Sequence, residues 1–103
     1  MNDWKDIKGY EGLYKINKVG QVISFHSGKE RIMKTRINNY GYYIVDLRKN
    51  KQRKTYKIHR LVAETFIDNP LNRNIVDHIN RIKTDNRVEN LRWVTSQENN
   101  LNK

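Results

Sequence analysis

Short stretches in which apolar and polar residues alternate dominate the first half of the chain. Leu13, Tyr14, Lys15, Ile16 and Asn17 alternate with the period of a half-buried strand. Lys18, Val19 and Gly20 turn the chain, and Val22, Ile23, Ser24 and Phe25 return it as a second strand, which predicts a small antiparallel unit. Trp4, Tyr10, Tyr14 and Phe25 are the aromatic residues assigned to its core. Residues 29–38 read as a short strand or a loop, and 40–47 as a strongly β-forming run. A hydrophilic turn over 48–54 then leads into a strand at 55–58, completing a hairpin.

The period changes at His59. Leu61, Val62, Thr65 and Phe66 fall on one face of a helix over 59–67, which Pro70 stops because it has no N–H and restricts Asn69. A strand is expected over 74–79, a turn over 80–85 and a short link over 86–90. A second strand over 91–94 gives Leu91, Trp93 and Val94 to the core. Thr95 with Glu98 three residues on has the spacing of a capping box, so a last helix begins there and carries Asn99 on its first turn. The fold class is α+β, with a small β-rich module over 1–57 followed by a strand–strand–helix unit within 58–103.

Charge narrows the partners. Twenty-one Lys and Arg against eleven Asp and Glu give a formal net charge of +10, spread along the chain from Lys5 to Lys103. A small soluble domain needs a net charge of roughly 2 to 8, so the excess points to a polyanion, and nucleic acid is the expected partner. Lysines and arginines at 48, 49, 51, 53 and 54 crowd the hairpin, where their mutual repulsion would be relieved by phosphate. No cysteine is present, which excludes disulfides and thiolate zinc sites. No apolar run approaches the roughly 18 residues of a membrane span, so no membrane association and an intracellular location are expected.

The candidate chemistry lies in 76–99. Asp77 and His78 stand side by side, with Asn90 before the second strand and Asn99 on the last helix. Oxygen donors from Asp77 and Asn99 suit a hard cation such as Mg²⁺, which keeps several waters and completes its shell with phosphate. A neutral, aimed His78 can take a proton from water attacking phosphorus. Asn90, uncharged, either braces the loop or orients the His78 ring. A regular strand puts Asp77 and His78 on opposite faces, so a bulge or the strand end is needed for both to reach one site. His59, at the helix start, is read as structural or phosphate-facing and not as a metal ligand.

Asp77-His78-Ile79, Asn86, the run from Glu89 through Thr95, and Glu98-Asn99 together resemble the HNH motif of phage and intron-encoded homing endonucleases. Trp4 to Ile7, Gly9 to Tyr14 and Val19 to Val22 resemble the NUMOD4-like amino-terminal module of that family, and the run from His59 to Phe66 its lead-in helix. The resemblance implies a ββα-metal core in 58–103 behind a DNA-contacting module in 1–57. It implies His78 as general base, Asn90 as the residue that positions it, and Asp77 with Asn99 as ligands of one divalent cation, Mg²⁺ or Mn²⁺. Lys34, Arg36, Arg48, Lys49, Lys51, Arg53, Lys54, Arg60, Arg81 and Arg92 are the candidate DNA contacts.

The implied reaction is hydrolysis of double-stranded DNA by a monomer, nicking one strand and leaving 5′-phosphate and 3′-hydroxyl ends. A phage-encoded protein in the bacterial cytoplasm fits that family. The alternative is a DNA-binding module of the same origin without cleavage. Two departures stand out. The turn after Asp77-His78 normally contains a Gly, where this chain has Asn80, Arg81, Ile82 and Lys83, so the turn must avoid positive φ or strain a larger residue. Relatives also continue into a sequence-reading carboxyl-terminal region, so a chain ending at Lys103 is expected to be less site-specific.

Overall fold

The computed structural model describes residues 3–101, and the side chains of all of these except Ser27, Asn99, Asn100 and Leu101. Three antiparallel sheets follow one another along the chain. The first contains β1 (Lys5–Asp6), β2 (Tyr14–Ile16), β3 (Val22–Ser24) and β4 (Arg31–Ile32), in that spatial order. The second contains β5 (Arg36–Ile37), β6 (Tyr43–Lys49) and β7 (Gln52–Lys57). Helix α1 (Ile58–Phe66) leads to the pair β8 (Ile75–His78) and β9 (Leu91–Val94), and α2 (Ser96–Leu101) closes the described chain. The ambiguous stretch after 28 thus holds two short strands, one in each of the first two sheets.

The hairpin is tighter than its charge pattern suggests. β6 and β7 stay paired through Arg48↔Arg53 and Lys49↔Gln52, leaving a loop of only Asn50 and Lys51. The ladder needs only backbone groups there, and the charged side chains stand in solvent, so polarity does not end the strands. Both loop residues have positive φ, 52° at Asn50 and 65° at Lys51, as a type I′ turn requires. Asparagine tolerates this region and lysine does not, so Lys51→Gly is expected to raise stability by about 1 kcal/mol. Urea unfolding measures it, and an unchanged or lower midpoint would contradict the assignment.

One core joins the two halves of the chain. Ile58, Leu61 and Val62 of α1, at helical spacing, pack with Ile7 just past β1, Tyr14, Ile16 and Val22 of the first sheet, Val45 and Leu47 of β6, and Val76 and Leu91 of the last pair. Each such side chain contributes about 1.5–3 kcal/mol on burial. Tyr10 and Tyr14 are core residues as expected, whereas Trp4 and Phe25 are only half-buried at the rim. Thr65 and Phe66 are likewise half-buried, and α1 buries His59 and Ala63 instead. The capping box forms: Glu98 N–H donates to Thr95 Oγ1 at 3.1 Å and Thr95 N–H to Glu98 Oε1 at 3.0 Å.

Candidate active site

The site is built on the last two strands. β8 is regular and unbulged, and its residues alternate half-buried and buried, so Asp77 and His78 point to opposite faces as strand geometry demands. β8 has no bulge and ends at His78, so of the two devices that could bring both side chains to one site it is the strand end that is present. On the open face Asp77 sits across from Arg92 of β9, whose Nη2 and Nε donate to Asp77 Oδ2 at 2.9 and 3.0 Å.

His78 is 6% exposed and lies in an aromatic layer. Its ring centroid is 4.9 Å from that of His59 and 6.0 Å from that of Tyr42, and Tyr42 is in turn 5.0 Å from His59. The ammonium groups of Lys57 and Lys83 stand 5.4 and 5.1 Å from the Tyr42 ring centroid. His78 Nε2 donates to Asn86 Oδ1 at 2.8 Å. Because that oxygen only accepts, the neutral ring carries its proton on Nε2 and keeps the Nδ1 lone pair. His59 is as buried as His78, and its Nδ1 has no hydrogen-bond partner among the described residues. Burial first, then the His78 ring, Lys57 and Arg60, push its pKa down from 6.5 to about 3.

The loop between the strands is stapled by Asn90. Asn90 Oδ1 accepts from Asn80 N–H at 3.0 Å, and Nδ2 donates to Asn80 Oδ1 at 2.9 Å and Asp85 O at 2.8 Å. Of the two uses open to Asn90, bracing the loop is therefore the one its hydrogen bonds serve, and Asn86 holds the ring. The departure at the glycine position is met by strain: Arg81 takes φ 64°, with its N–H donating to His78 O at 2.9 Å. A non-glycine residue there costs on the order of 1–2 kcal/mol.

Oxygen donors suited to a hard cation are few. Among the described residues no three His, Cys, Asp or Glu side chains converge as a metal cage. Asp77 offers one carboxylate, with Oδ2 engaged by Arg92 and Oδ1 outside that pair, and its side chain is 18% exposed. Helix α2 packs on β8, and the Asn99 side chain lies outside the described residues. A single carboxylate beside an open face fits a Mg²⁺-type ion that draws most of its ligands from water and phosphate, and does not fit a zinc cage.

Six of the ten candidate basic residues line two concavities. Lys34, Arg36, Arg48 and Arg53, with Arg31 and His26, line a concavity of about 730 Å³ between the first and second sheets. Lys49 and Lys54 border a second of about 320 Å³, where Lys49 Nζ donates to Gly9 O at 2.7 Å. Lys51 is exposed at the hairpin tip and Arg81 beside the His78 loop. Among the candidate DNA contacts three guanidinium groups are already engaged. Arg36 pairs with Asp46 at 2.8 Å, holding that carboxyl down at about 2. Arg92 pairs with Asp77. Arg60 donates to Asn74 O at 2.8 Å and lies over the Trp93 ring.

Residues 2–48 match the NUMOD4 motif and residues 56–101 the HNH endonuclease family. Residues 56–101 are thus an HNH endonuclease domain, preceded by a NUMOD4 segment. It is 43% identical over 97 residues to DNA endonuclease I-HmuI of Bacillus phage SP01, a match covering 94% of this chain and 55% of the phage protein. It is also 43% identical over 101 residues to the uncharacterized HNH endonuclease L247 of Acanthamoeba polyphaga mimivirus, covering 93% of this chain and 24% of that one. The structure described as "DNA binding and cleavage by the HNH homing endonuclease I-HmuI" superposes with a TM-score of 0.89, covering 97% of this chain and 56% of that chain. This HNH chain thus spans about half the length of the phage relative and a quarter of the mimiviral one.

Two residues of this site, Asn86 and Tyr42, escaped reading by chemistry alone. Asn86 stood within the family motif, but nothing in its spacing marked it as the partner of the ring. Tyr42 lies in the turn before β6, far along the chain from His78, so its place over the ring has no local signal. His59 was assigned a structural part, and its burial against His78 is the contact that gives it one.

Proposed function

We propose that this chain hydrolyses phosphodiester bonds of double-stranded DNA with the help of one divalent cation, and that as a monomer with one site it nicks a single strand. The observation that carries the reading is His78, held at the end of β8 with its proton on Nε2 and its Nδ1 lone pair available, next in sequence to the Asp77 carboxylate. His78 Nδ1 accepts a proton from the attacking water, and burial among Tyr42 and His59 keeps the ring from rotating out of line. Asp77, with Asn99 from α2, holds the cation, Mg²⁺ or Mn²⁺ by donor type. When bound, the ion supplies charge stabilisation to the phosphate oxygens and the departing 3′-oxygen. Asn90 keeps the 80–90 loop closed behind the base, and exposed Arg81 is offered to phosphate beside it, while Arg92 is held on Asp77.

The groove lined by Lys34, Arg48 and Arg53 is where the duplex backbone is expected to lie. Arg48 and Arg53 are paired directly across β6 and β7, a like-charge contact that an intervening phosphate relieves. Replacing these three by Ala should flatten the salt dependence of duplex binding by about 0.9 in log–log slope per lost phosphate contact. A wild-type slope would place the duplex elsewhere.

The reaction itself is tested by its product. Open-circular plasmid formed with Mg²⁺ should be resealed by DNA ligase without prior kinase or phosphatase treatment, which requires 5′-phosphate and 3′-hydroxyl ends. Linear product at the outset, or nicks that ligase leaves open, would overturn this form of the reaction.

A further inference from the structure

The turn at 17–20 is where the first sheet meets the loop of the nuclease site. Asn17 is fully buried and closes the turn on itself: Oδ1 accepts from the Val19 and Gln21 N–H groups at 3.2 and 2.8 Å, and Nδ2 donates to Gln21 Oε1 at 2.8 Å. Gly20 has φ +88°, and a Cβ there would stand 2.9 Å from Ile58 Cγ2 and 3.3 Å from Asn86 Cβ. Glycine is needed at this position twice over, for the backbone conformation and for the close approach. Beside it, Val88 N–H donates to Lys18 O at 2.8 Å. The turn therefore meets the loop at Asn86 and again at Val88. Asn86 is 4% exposed, and its Oδ1 accepts the proton on His78 Nε2.

We propose that Asn86 is the positioning residue that selects the Nε2-protonated tautomer of His78, and that the turn at 17–20 of the amino-terminal module holds Asn86 in place. The inference rests on the reading of His78 as the base. An acceptor-only oxygen at Nε2 leaves the lone pair on Nδ1; without it the two tautomers mix and the ring loses its orienting bond. The hydrogen bonds of Asn90 go to Asn80 and Asp85, so Asn90 does not supply this acceptor. The amino-terminal module is on this account part of the active site as well as a DNA-contacting surface, because it supplies the wall against which Asn86 packs.

Long-range ¹H–¹⁵N correlation of the imidazole nitrogens, on the ¹⁵N-labelled full chain at neutral pH without DNA or metal, reads the tautomer of His78 directly. Wild type should be protonated on Nε2. Asn86→Asp, which keeps an acceptor in place, should retain that state, while Asn86→Ala should give mixed tautomers, and Gly20→Ala should do the same through displacement of Asn86. In a nicking assay Asn86→Ala should be on the order of 100-fold slower at unchanged DNA affinity, and Asn86→Asp should recover most of the loss. Should Gly20→Ala fail to fold, Gln21→Ala loosens the same turn from its exposed side, and a partial shift in the His78 nitrogens is expected.

A folded Asn86→Ala chain with the wild-type tautomer would overturn the role of Asn86. Unchanged His78 nitrogens in folded Gly20→Ala, or in Gln21→Ala if Gly20→Ala does not fold, would overturn that of the turn. If the tautomers behave as stated but wild type nicks no DNA, the endonuclease reading fails and the positioning contact stands.

Discussion

His78→Ala is expected to nick supercoiled DNA about 10²–10⁴ times more slowly than wild type while binding DNA with the same affinity. The substitution removes the one buried imidazole with a fixed tautomer and an available Nδ1 lone pair, and it leaves the exposed lysines and arginines untouched. It also opens a small void beside Tyr42 and His59, so the thermal midpoint should fall somewhat without loss of the fold. Single-turnover nicking rates measured beside duplex affinities separate the two effects. Equal loss of rate and affinity would mean that His78 holds the structure together and does no chemistry.

Acid should destabilise the chain earlier than its carboxylates alone would dictate. His59 stays neutral in the folded state, its pKa pushed down from 6.5 to about 3 by burial and by the facing His78, Lys57 and Arg60. The unfolded chain binds a proton there below pH 6.5 and the folded chain does not until about pH 3. Stability from this group is therefore complete above 6.5 and falls as the pH drops through that window, by up to about 1.4 kcal/mol per pH unit. Asp46, held at about 2 by Arg36 and Thr55, adds its loss only below its ordinary value of 3.8. Glu98, lowered from 4.5 chiefly by the Thr95 N–H, loses its share toward the bottom of the His59 window, so the interval between about pH 5.5 and 6.5 isolates His59 from both carboxylates. His59→Phe, which keeps a ring against Tyr42 and His78, should flatten the decline there in urea unfolding followed across pH. An unchanged slope would mean that another group titrates.

What could be read from the chain, and what could not, follows the range of the interactions. The alternation at 13–17 and 22–25, the capping box of Thr95 and Glu98, and the stop at Pro70 are local devices, and each lies in the fold where its pattern put it. The run of charge at 48–54 misled because solvent-facing side chains say nothing about whether backbone ladders continue beneath them. The missing glycine posed a choice between avoiding positive φ and enduring it, and Arg81 endures it. Asp77 and His78 were visible as a pair, and their separation to opposite faces followed from strand geometry. The layer of Tyr42, His59 and His78, and the approach of Gly20 to Asn86, depend on three sheets closing around α1. No window of sequence contains those contacts, because the residues that make them are joined only by the shared core.

Cleavage of a phosphodiester bond by one chain is proposed to depend on His78 and a divalent cation. Its most direct test is conversion of supercoiled plasmid by wild type and by His78→Ala, each with Mg²⁺ and with EDTA. Open-circular product is expected for wild type with Mg²⁺, little or none for His78→Ala at the same time, and none in EDTA. Plasmid that stays supercoiled with wild type and Mg²⁺ while shifting on a gel would contradict it, and would make the chain a DNA-binding module in which Arg92 occupies the carboxylate a metal would need.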